Sequence, residues 1–329
     1  MNNPDLAWRS TSVAVVIVNW NGAAFLERCL SALMAQTVKP SEIIVLDNAS
    51  SDDSIEIVRR FPEMRLLQQD LNTGFARGNN LAISAASSEL QWIALINPDA
   101  FAEPSWLETL LMAAQSNPEF DVFASRLVNA GDPMVLDGAG DAYHMSGLVW
   151  RAAKGMPVSS VAEREVFSAC AAAALYRRST LFEAGGFDED YFCYVEDVDL
   201  GFRLRLAGHR CLYVPQSVAY HVGSGSTGGQ HSEFAMYHGH RNLVWTFVKD
   251  MPGILFWLML PMHVLLNLVS LLWFTLQGRA GVIWRAKCDA ISGLPGVWRK
   301  RQQTQAKRVV GIAEVWRFLD KRLWPWRGS

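Results

Sequence analysis

Apolar residues in the first hundred positions come in short unbroken runs, each closed by a polar cluster: Val13-Ala-Val-Val-Ile-Val18, Glu42-Ile-Ile-Val-Leu46 and Trp92-Ile-Ala-Leu-Ile96. Short, β-branched runs without polar alternation predict strands buried on both faces. Between them a helical period predicts helices over about 23–36, 53–61 and 74–87. Lys39-Pro40 breaks the first, and Ser51 or Asp52 caps the second. Arg65-Leu-Leu-Gln68 reads as a further strand. Strands alternating with helices imply an α/β fold, with a parallel sheet and right-handed crossovers. The pattern weakens between about 120 and 167, where short strands and Gly-rich turns such as Asp137-Gly-Ala-Gly-Asp141 suggest an irregular substrate-facing region. Ala169-Cys-Ala-Ala-Ala-Ala-Leu-Tyr176 suits either a helix or a strand. Glu196 to Ala207 reads as a helix, and Arg210 to Val214 as a strand stopped by Pro215.

Charge changes this picture by position. The net charge of −2 conceals a body, residues 1–278, with 18 basic and 29 acidic residues, and a tail, residues 279–329, with twelve basic residues against Asp289, Glu314 and Asp320. An acidic body with a basic tail leaves only the tail to meet a polyanionic surface, and no nucleic-acid partner is expected. The five cysteines are odd in number and lack CxxC spacing, which argues against a zinc site or a disulfide framework and fits a reducing compartment. Met1 to Ser12 is polar and lacks the apolar core of a signal peptide.

The polar clusters at the strand ends carry the candidate chemistry, because open α/β sheets bind ligands there. In Leu95-Ile-Asn-Pro-Asp-Ala100 the Asp99 carboxylate, beside the Asn97 amide, can hold a divalent cation that also takes phosphate oxygens, although Asn-Pro-Asp is equally good turn chemistry. Asp47 opens a similar cluster, Asp47-Asn-Ala-Ser-Ser-Asp52, and can accept from a pyrimidine N–H or from ribose hydroxyls, or simply cap a turn. Asn72-Thr-Gly-Phe-Ala-Arg-Gly-Asn-Asn80 offers a helix N-terminus with several amides. Glu196, Asp197 and Asp199 gather three carboxylates beside Phe192, Tyr194 and Val198. One of them can serve as a general base, with Arg203 or Arg205 fixing others; a solvated helix N-terminus is the plainer alternative. His221 follows a strand-like segment and precedes the glycine-rich stretch Gly223 to Gly229, suited to closing over phosphates. Arg241, with His238 and His240, can reach an acceptor or a diphosphate.

Taken in order, these blocks resemble the family 2 glycosyltransferases of the GT-A fold, most closely the bacterial rhamnosyltransferase-like members. The match runs from Val15 to about Asn242. It takes in Val16-Ile-Val-Asn-Trp-Asn21, Asp47 to Asp52, Asn72-Thr-Gly-Phe75 with Asn79-Asn80, Asn97-Pro-Asp99, Gly185-Gly-Phe-Asp-Glu189, Glu196-Asp-Val-Asp199, His221 and Arg241-Asn242. The resemblance implies that Asn19 and Asp47 line a nucleoside pocket and that Asn79 or Asn80 lies near the ribose or diphosphate. It implies that Asp99, with His221, binds Mg²⁺ or Mn²⁺, and that Asn97 replaces the first acid of the usual Asp-x-Asp pair. Asp197 is then the base, with Glu196 and Asp199 shaping its surroundings. The expected reaction is a single inverting displacement from a nucleoside-diphosphate sugar, dTDP-rhamnose first and UDP- or GDP-sugars as alternatives, to a lipid-linked saccharide of a cell-surface glycan such as lipopolysaccharide O-antigen. Residues 1–245 form the expected catalytic domain, with a nucleotide half at 13–120 and an acceptor half at 121–245.

Residues 246–329 read as a helical membrane-attachment region. Residues 251–278 contain no Asp, Glu, Lys or Arg, and eight of the thirteen tryptophans lie from Trp245 onward. A single crossing would separate the catalytic body from the basic tail, although both belong on the cytoplasmic side of the inner membrane. Pro261, His263 and Asn267 at mid-segment favour a helix or hairpin lying in the interface, with basic segments such as 309–326 on an anionic leaflet. A true span and a buried homodimer helix are the alternatives. Two rivals to the activity, a nucleotidyltransferase and a non-catalytic sugar-nucleotide-binding protein, fit less well: the first strand lacks a basic phosphate loop, and the carboxylates are all present.

Overall fold

A computed structural model describes residues 12–223 and 232–322. The first half is a β/α alternation: β1 (Val13–Asn19), α1 (Ala23–Met34), β2 (Glu42–Asp47), α2 (Ser54–Arg59), β3 (Arg65–Gln68), α3 (Gly74–Ala85) and β4 (Trp92–Ile96). Strands β3, β2, β1 and β4 pair in parallel in that order. Side chains of β1 alternate between two cores. Val13, Val15 and Ile17 pack with α1 and with Trp106, Leu107 and Leu110 of α4 (Trp106–Ser116), while Ala14, Val16 and Val18 pack with Ala76, Ala82 and Ile83 of α3. Burial on both faces explains the uninterrupted apolar runs.

The second half completes one ten-stranded sheet. It adds β5 (Ala100–Ala102), β6 (Val122–Asn129), β7 (Asp132–Gly138), β10 (Arg164–Val166), β11 (Ala173–Arg177), α5 (Arg178–Ala184), α6 (Glu196–Leu206) and β12 (Cys211–His221). A separate hairpin, β8 (Asp141–Tyr143) with β9 (Val149–Arg151), sets Asp141 directly opposite Arg151. The ambiguous alanine-rich segment resolves as β11, wedged antiparallel between β4 and β6. Small side chains suit that central position. The strand expected to stop at Pro215 continues to His221, because its register on β6 shifts between Val214 and Val218. That irregularity lets Pro215, which has no N–H to donate, sit inside the strand.

Four helices follow among the described residues: α7 (Glu233–Asp250), α8 (Gly253–Leu276), α9 (Ala280–Ala306) and α10 (Ile312–Phe318). The division expected at 245/246 falls inside α7. A third apolar cluster crosses it, joining Tyr143, Phe167, Phe202 and Phe247 to Phe256, Val297, Val315 and Leu319. The glycine-rich stretch lies outside the described residues beyond Gly223, as does the last part of 309–326.

Candidate active site

The polar ends of β1, β4 and β12, the β8–β9 hairpin and the start of α6 open onto one cleft of about 490 Å³. Its position beyond the carboxyl ends of the parallel strands is the usual one for this class of sheet. Strand pairing builds the first cluster. Ala100 of β5 is registered opposite His221, which brings Asp99 beside the imidazole, with Asp99 Oδ1 3.4 Å from His221 Nε2. On its other side His221 Nδ1 lies 2.8 Å from Asp137 Oδ2. A carboxylate only accepts, so Nδ1 carries the proton and Nε2 faces Asp99 and the cleft. Burial would depress the imidazole pKa, but the Asp137 and Asp99 carboxylates on its two sides outweigh it and raise the value.

Asp137 is itself buried at the centre of a cationic cage, paired with Arg151 and, at 3.0 Å, with Lys154. These cations and His221 overcome the cost of burial and hold its carboxyl well below the usual range. Arg151 also lines the cleft and is the only Lys or Arg to do so among the described residues. Sequence reasoning missed Asp137, Asp141 and Arg151 as site residues. The signal was present in Asp137-Gly-Ala-Gly-Asp141, two carboxylates closing a glycine turn. Gly140 adopts φ +75°, and a Cβ there would lie 2.7 Å from Val166 Cγ2, so the turn requires glycine.

The second cluster sits at the start of α6. Phe192, Tyr194 and Val195 all take positive φ, at 65°, 66° and 70°, immediately before Glu196. Such residues cost roughly 1–3 kcal/mol each and persist only where their surroundings impose them. Here the side-chain amide of Asn242 donates to the carbonyls of Tyr191, Cys193 and Tyr194 at 2.8–3.0 Å, and Arg241 donates to those of Asp190 and Tyr191. The held loop aims Asp197 into the cleft, where its Oδ2 accepts from the Ala171 backbone N–H at 3.2 Å. Glu196 also lines the cleft, buried, with Oε2 lacking any hydrogen-bond partner. Burial, and then the charge on Asp197, push the Glu196 carboxyl well above its ordinary range, and the same two causes raise Asp141.

Several expected site residues are placed elsewhere. Asp199 does not line the cleft; it is fully buried, accepting from Tyr191 Oη at 3.0 Å and Arg203 Nε at 2.9 Å, and is ion-paired with Lys249 at 2.5 Å. Asn19 and Asp47 are buried beneath the cleft, bonded to each other at 2.9 Å and to Ser50, so they shape the turn at residues 48–52. In their place Trp20 and Asn48 line the wall. Asn79 is buried and bonded to the Phe75 carbonyl, and Asn80 clamps both the N–H and the carbonyl of Phe187. Arg241 braces the loop before Glu196 instead of entering the cleft. The cleft receives Asn97, Asp99, Glu196, Asp197 and His221.

Two buried atoms beside Asp99 lack hydrogen-bond partners: His221 Nε2 and Asn97 Oδ1. The 3.4 Å between Asp99 Oδ1 and His221 Nε2 is close to the roughly 3 Å separating neighbouring ligands of an octahedral cation with bonds near 2.1 Å. The oxygen donors suit Mg²⁺ or Mn²⁺, and the imidazole nitrogen favours Mn²⁺, the softer of the two. Among the described residues no cluster of three or more His, Cys, Asp or Glu is arranged to enclose a metal by itself. A cation here would therefore complete its shell with ligand oxygens or water.

Comparison with known proteins agrees with this geometry. Residues 14–182 match glycosyl transferase family 2. The chain is 31% identical over 244 residues to the N-acetylglucosaminyl-diphospho-decaprenol L-rhamnosyltransferase of Mycobacterium tuberculosis, covering 65% of this chain and 77% of that protein. It is 26% identical to the rhamnosyltransferase WbbL of Escherichia coli, over 64% of this chain and 83% of the relative. The fold matches the Pyrobaculum calidifontis mannosyltransferase PcManGT, solved with GDP-Man and Mn²⁺, at a TM-score of 0.55 and 18% identity, covering 93% of this chain and 86% of that one. The mixed sheet is thus the GT-A arrangement that the resemblance implied, with a helical extension after it. A nucleotide-sugar-type fold, carboxylates converging on one cleft and a matching family lead to one conclusion: the chain belongs to glycosyl transferase family 2 and is a glycosyltransferase.

Proposed function

We propose that the protein is an inverting, cation-dependent glycosyltransferase that moves a hexose, rhamnose from dTDP-rhamnose as the first donor to test, onto a hydroxyl of a lipid-linked saccharide. The observation that carries this reading is the convergence of Asp99, His221 and Asp197 on a single cleft. Asp99, His221 and the Asn97 side chain would hold Mg²⁺ or Mn²⁺, which when bound supplies the charge that stabilises a departing diphosphate. Electrostatics support the need for it. Asp99, Asp141, Glu196 and Asp197 line the cleft against the single guanidinium of Arg151, which is already paired with Asp137. A donor diphosphate entering such a cleft unaided would face several carboxylates with one guanidinium among the lining Lys and Arg side chains to offset them.

Asp197 is the proposed base. It takes the proton of the acceptor hydroxyl as that oxygen attacks the anomeric carbon from the face opposite the nucleotide. The bond from the anomeric carbon to the diphosphate oxygen breaks, and its electron pair leaves with the nucleoside diphosphate. One displacement inverts the centre. Asn97 Oδ1 and the Glu196 carboxyl are further polar groups at the cleft surface, while Asn19, Asp47, Asn79, Asn80, Asp199 and Arg241 act as scaffold. Measuring released nucleoside diphosphate over a panel of dTDP-, UDP- and GDP-sugars, each with Mn²⁺, Mg²⁺ or EDTA, tests the reading. Acceptor-dependent release from at least one donor, abolished by EDTA, is expected; no release under any combination refutes it.

The lipid-linked acceptor of the related rhamnosyltransferase supports a membrane setting, and we assign α8 to monotopic attachment on the cytoplasmic face. By length and composition α8 is able to cross a membrane. Its body contacts argue against doing so. Phe256 is buried against Phe247, His263 bonds the Ser146 carbonyl at 2.7 Å, and Phe274 lines the cleft. Phe256 and Phe274 lie about 27 Å apart along the helix axis, so a crossing helix would have to leave the body that both touch. The opposite face exposes Trp257, Leu258, Leu265, Leu268 and Leu272, an apolar stripe suited to the interfacial plane.

A further inference from the structure

The cleft has two chemically distinct ends. Asn97, Asp99, Arg151, Asp197 and His221 make the polar end. The other end is walled by Phe234, Met236 and Leu243 of α7 and by Phe274 of α8, with the imidazole of His240 and the ring of Tyr194, which meets Phe234, as the polar rings beside them. Phe274 meets His240 edge to face, with ring centroids 4.9 Å apart, so the last turn of α8 is fixed against the wall. That same turn exposes Leu272, Trp273 and Leu276, at 62%, 59% and 76% of their surface. One helical turn therefore gives one aromatic ring to the catalytic cleft and three large apolar side chains to the surroundings.

A helix serving only as an anchor has no reason to wall the cleft. A site for a free, water-soluble sugar would offer hydrogen-bond partners where this one offers carbon surface, because sugar hydroxyls stripped of water need replacements. We propose that the apolar chain of the lipid-linked acceptor leaves the cleft between α7 and the last turn of α8, past Phe274, into the layer that the exposed face of α8 enters, while its saccharide reaches Asp197. The proposal rests on the reading above, a glycosyltransferase with a lipid-linked acceptor, and adds to it the place where the acceptor's apolar chain lies. The wall residue Phe274 and the exposed Leu272, Trp273 and Leu276 belong to the same helical turn, so a chain leaving past Phe274 meets apolar side chains next, which favours a lipid chain over a second protein.

Two synthetic acceptors carrying the same saccharide test this, one on a long isoprenyl or alkyl chain and one as the methyl glycoside, both assayed with the full chain in detergent. The measured quantity is the ratio of their kcat/KM values, which cancels any loss of active protein. A wild-type ratio of about tenfold or more in favour of the chain is expected, since tenfold needs only about 1.4 kcal/mol of burial. Phe274→Ser should bring the ratio below about threefold, and Phe274→Leu should restore most of it. Leu272→Ser, on the exposed side of the same turn, should weaken vesicle binding and keep the ratio. An unchanged ratio in Phe274→Ser, or equal use of the two acceptors by the wild type, overturns the proposal while leaving the activity standing. Failure to glycosylate either acceptor from any donor refutes the underlying function as well.

Discussion

At the scale of single residues, Asp137 decides which nitrogen His221 presents. Its Oδ2 accepts a hydrogen bond from the Nδ1–H at 2.8 Å, leaving Nε2 turned toward Asp99. Losing such a carboxylate partner typically costs 10- to 100-fold in metal affinity. Asp137→Asn should therefore weaken Mn²⁺ binding by about that factor in calorimetric titration, with far-UV circular dichroism confirming an intact fold; unchanged affinity would remove the orienting role. A second titratable pair lies away from the cleft. His209 Nδ1 lies 2.7 Å from Asp121 Oδ2, and that hydrogen bond, followed by the opposing effect of partial burial, leaves its pKa raised. A raised folded-state value means the pair's stabilisation is complete below pH of about 6.5 and is lost as the pH climbs through the folded value. Exposed or half-exposed pairs contribute about 0.5 kcal/mol, so raising the pH from 6 to 8.5 should lower the melting temperature by about 1–2 °C more in wild type than in His209→Asn. Parallel pH curves would contradict the assignment.

Among the elements, the loop from Phe192 to Val195 and the helix α7 depend on one another. Replacing Asn242 with Ala leaves three carbonyls of a strained loop without their donor. Each unmade buried bond costs about 1–3 kcal/mol, although water can replace some of them. A loss of about 2–3 kcal/mol in denaturant unfolding is expected, together with reduced turnover as Asp197 loses its aim; a loss under about 0.5 kcal/mol would show that the loop holds itself. The sequence order of Asn242 after Glu196 was legible, but its action across 48 residues was not, because nothing local marks a side chain that caps a distant loop. The parallel strands were legible because burial on both faces leaves an unbroken apolar run. The continuation of β12 through Pro215 was not, since the register shift that accommodates the proline depends on β6. Asp47 and Asn79 carried the polar identity of ligand-binding residues and proved to be buried braces. Residue type fixes what a group can bond but not which partner reaches it first. Asp141 and Arg151 were hidden by the reverse effect: a two-stranded hairpin brings them face to face from segments with no periodic pattern.

For the whole molecule, the acidic body and the apolar, basic end are joined by one continuous cluster and are not two loosely tethered units. The protein should float with vesicles, more strongly on anionic than on zwitterionic lipid. Leu268→Ser combined with Trp257→Ser, both on the exposed stripe of α8, should cut the bound fraction by about tenfold. Equal binding of that variant would assign membrane contact to another surface. The account as a whole depends on Asp197 sharing a functional cleft with the Asp99–His221 pair. The most direct test pairs two readings on Asp197→Asn: donor affinity with Mn²⁺ by calorimetry, and acceptor-dependent release of nucleoside diphosphate. A general base contributes about 10²- to 10⁴-fold. Donor affinity within about threefold of wild type, with turnover reduced by that range, is the predicted outcome. Turnover near the wild-type rate in a properly folded Asp197→Asn protein would contradict the account at its centre.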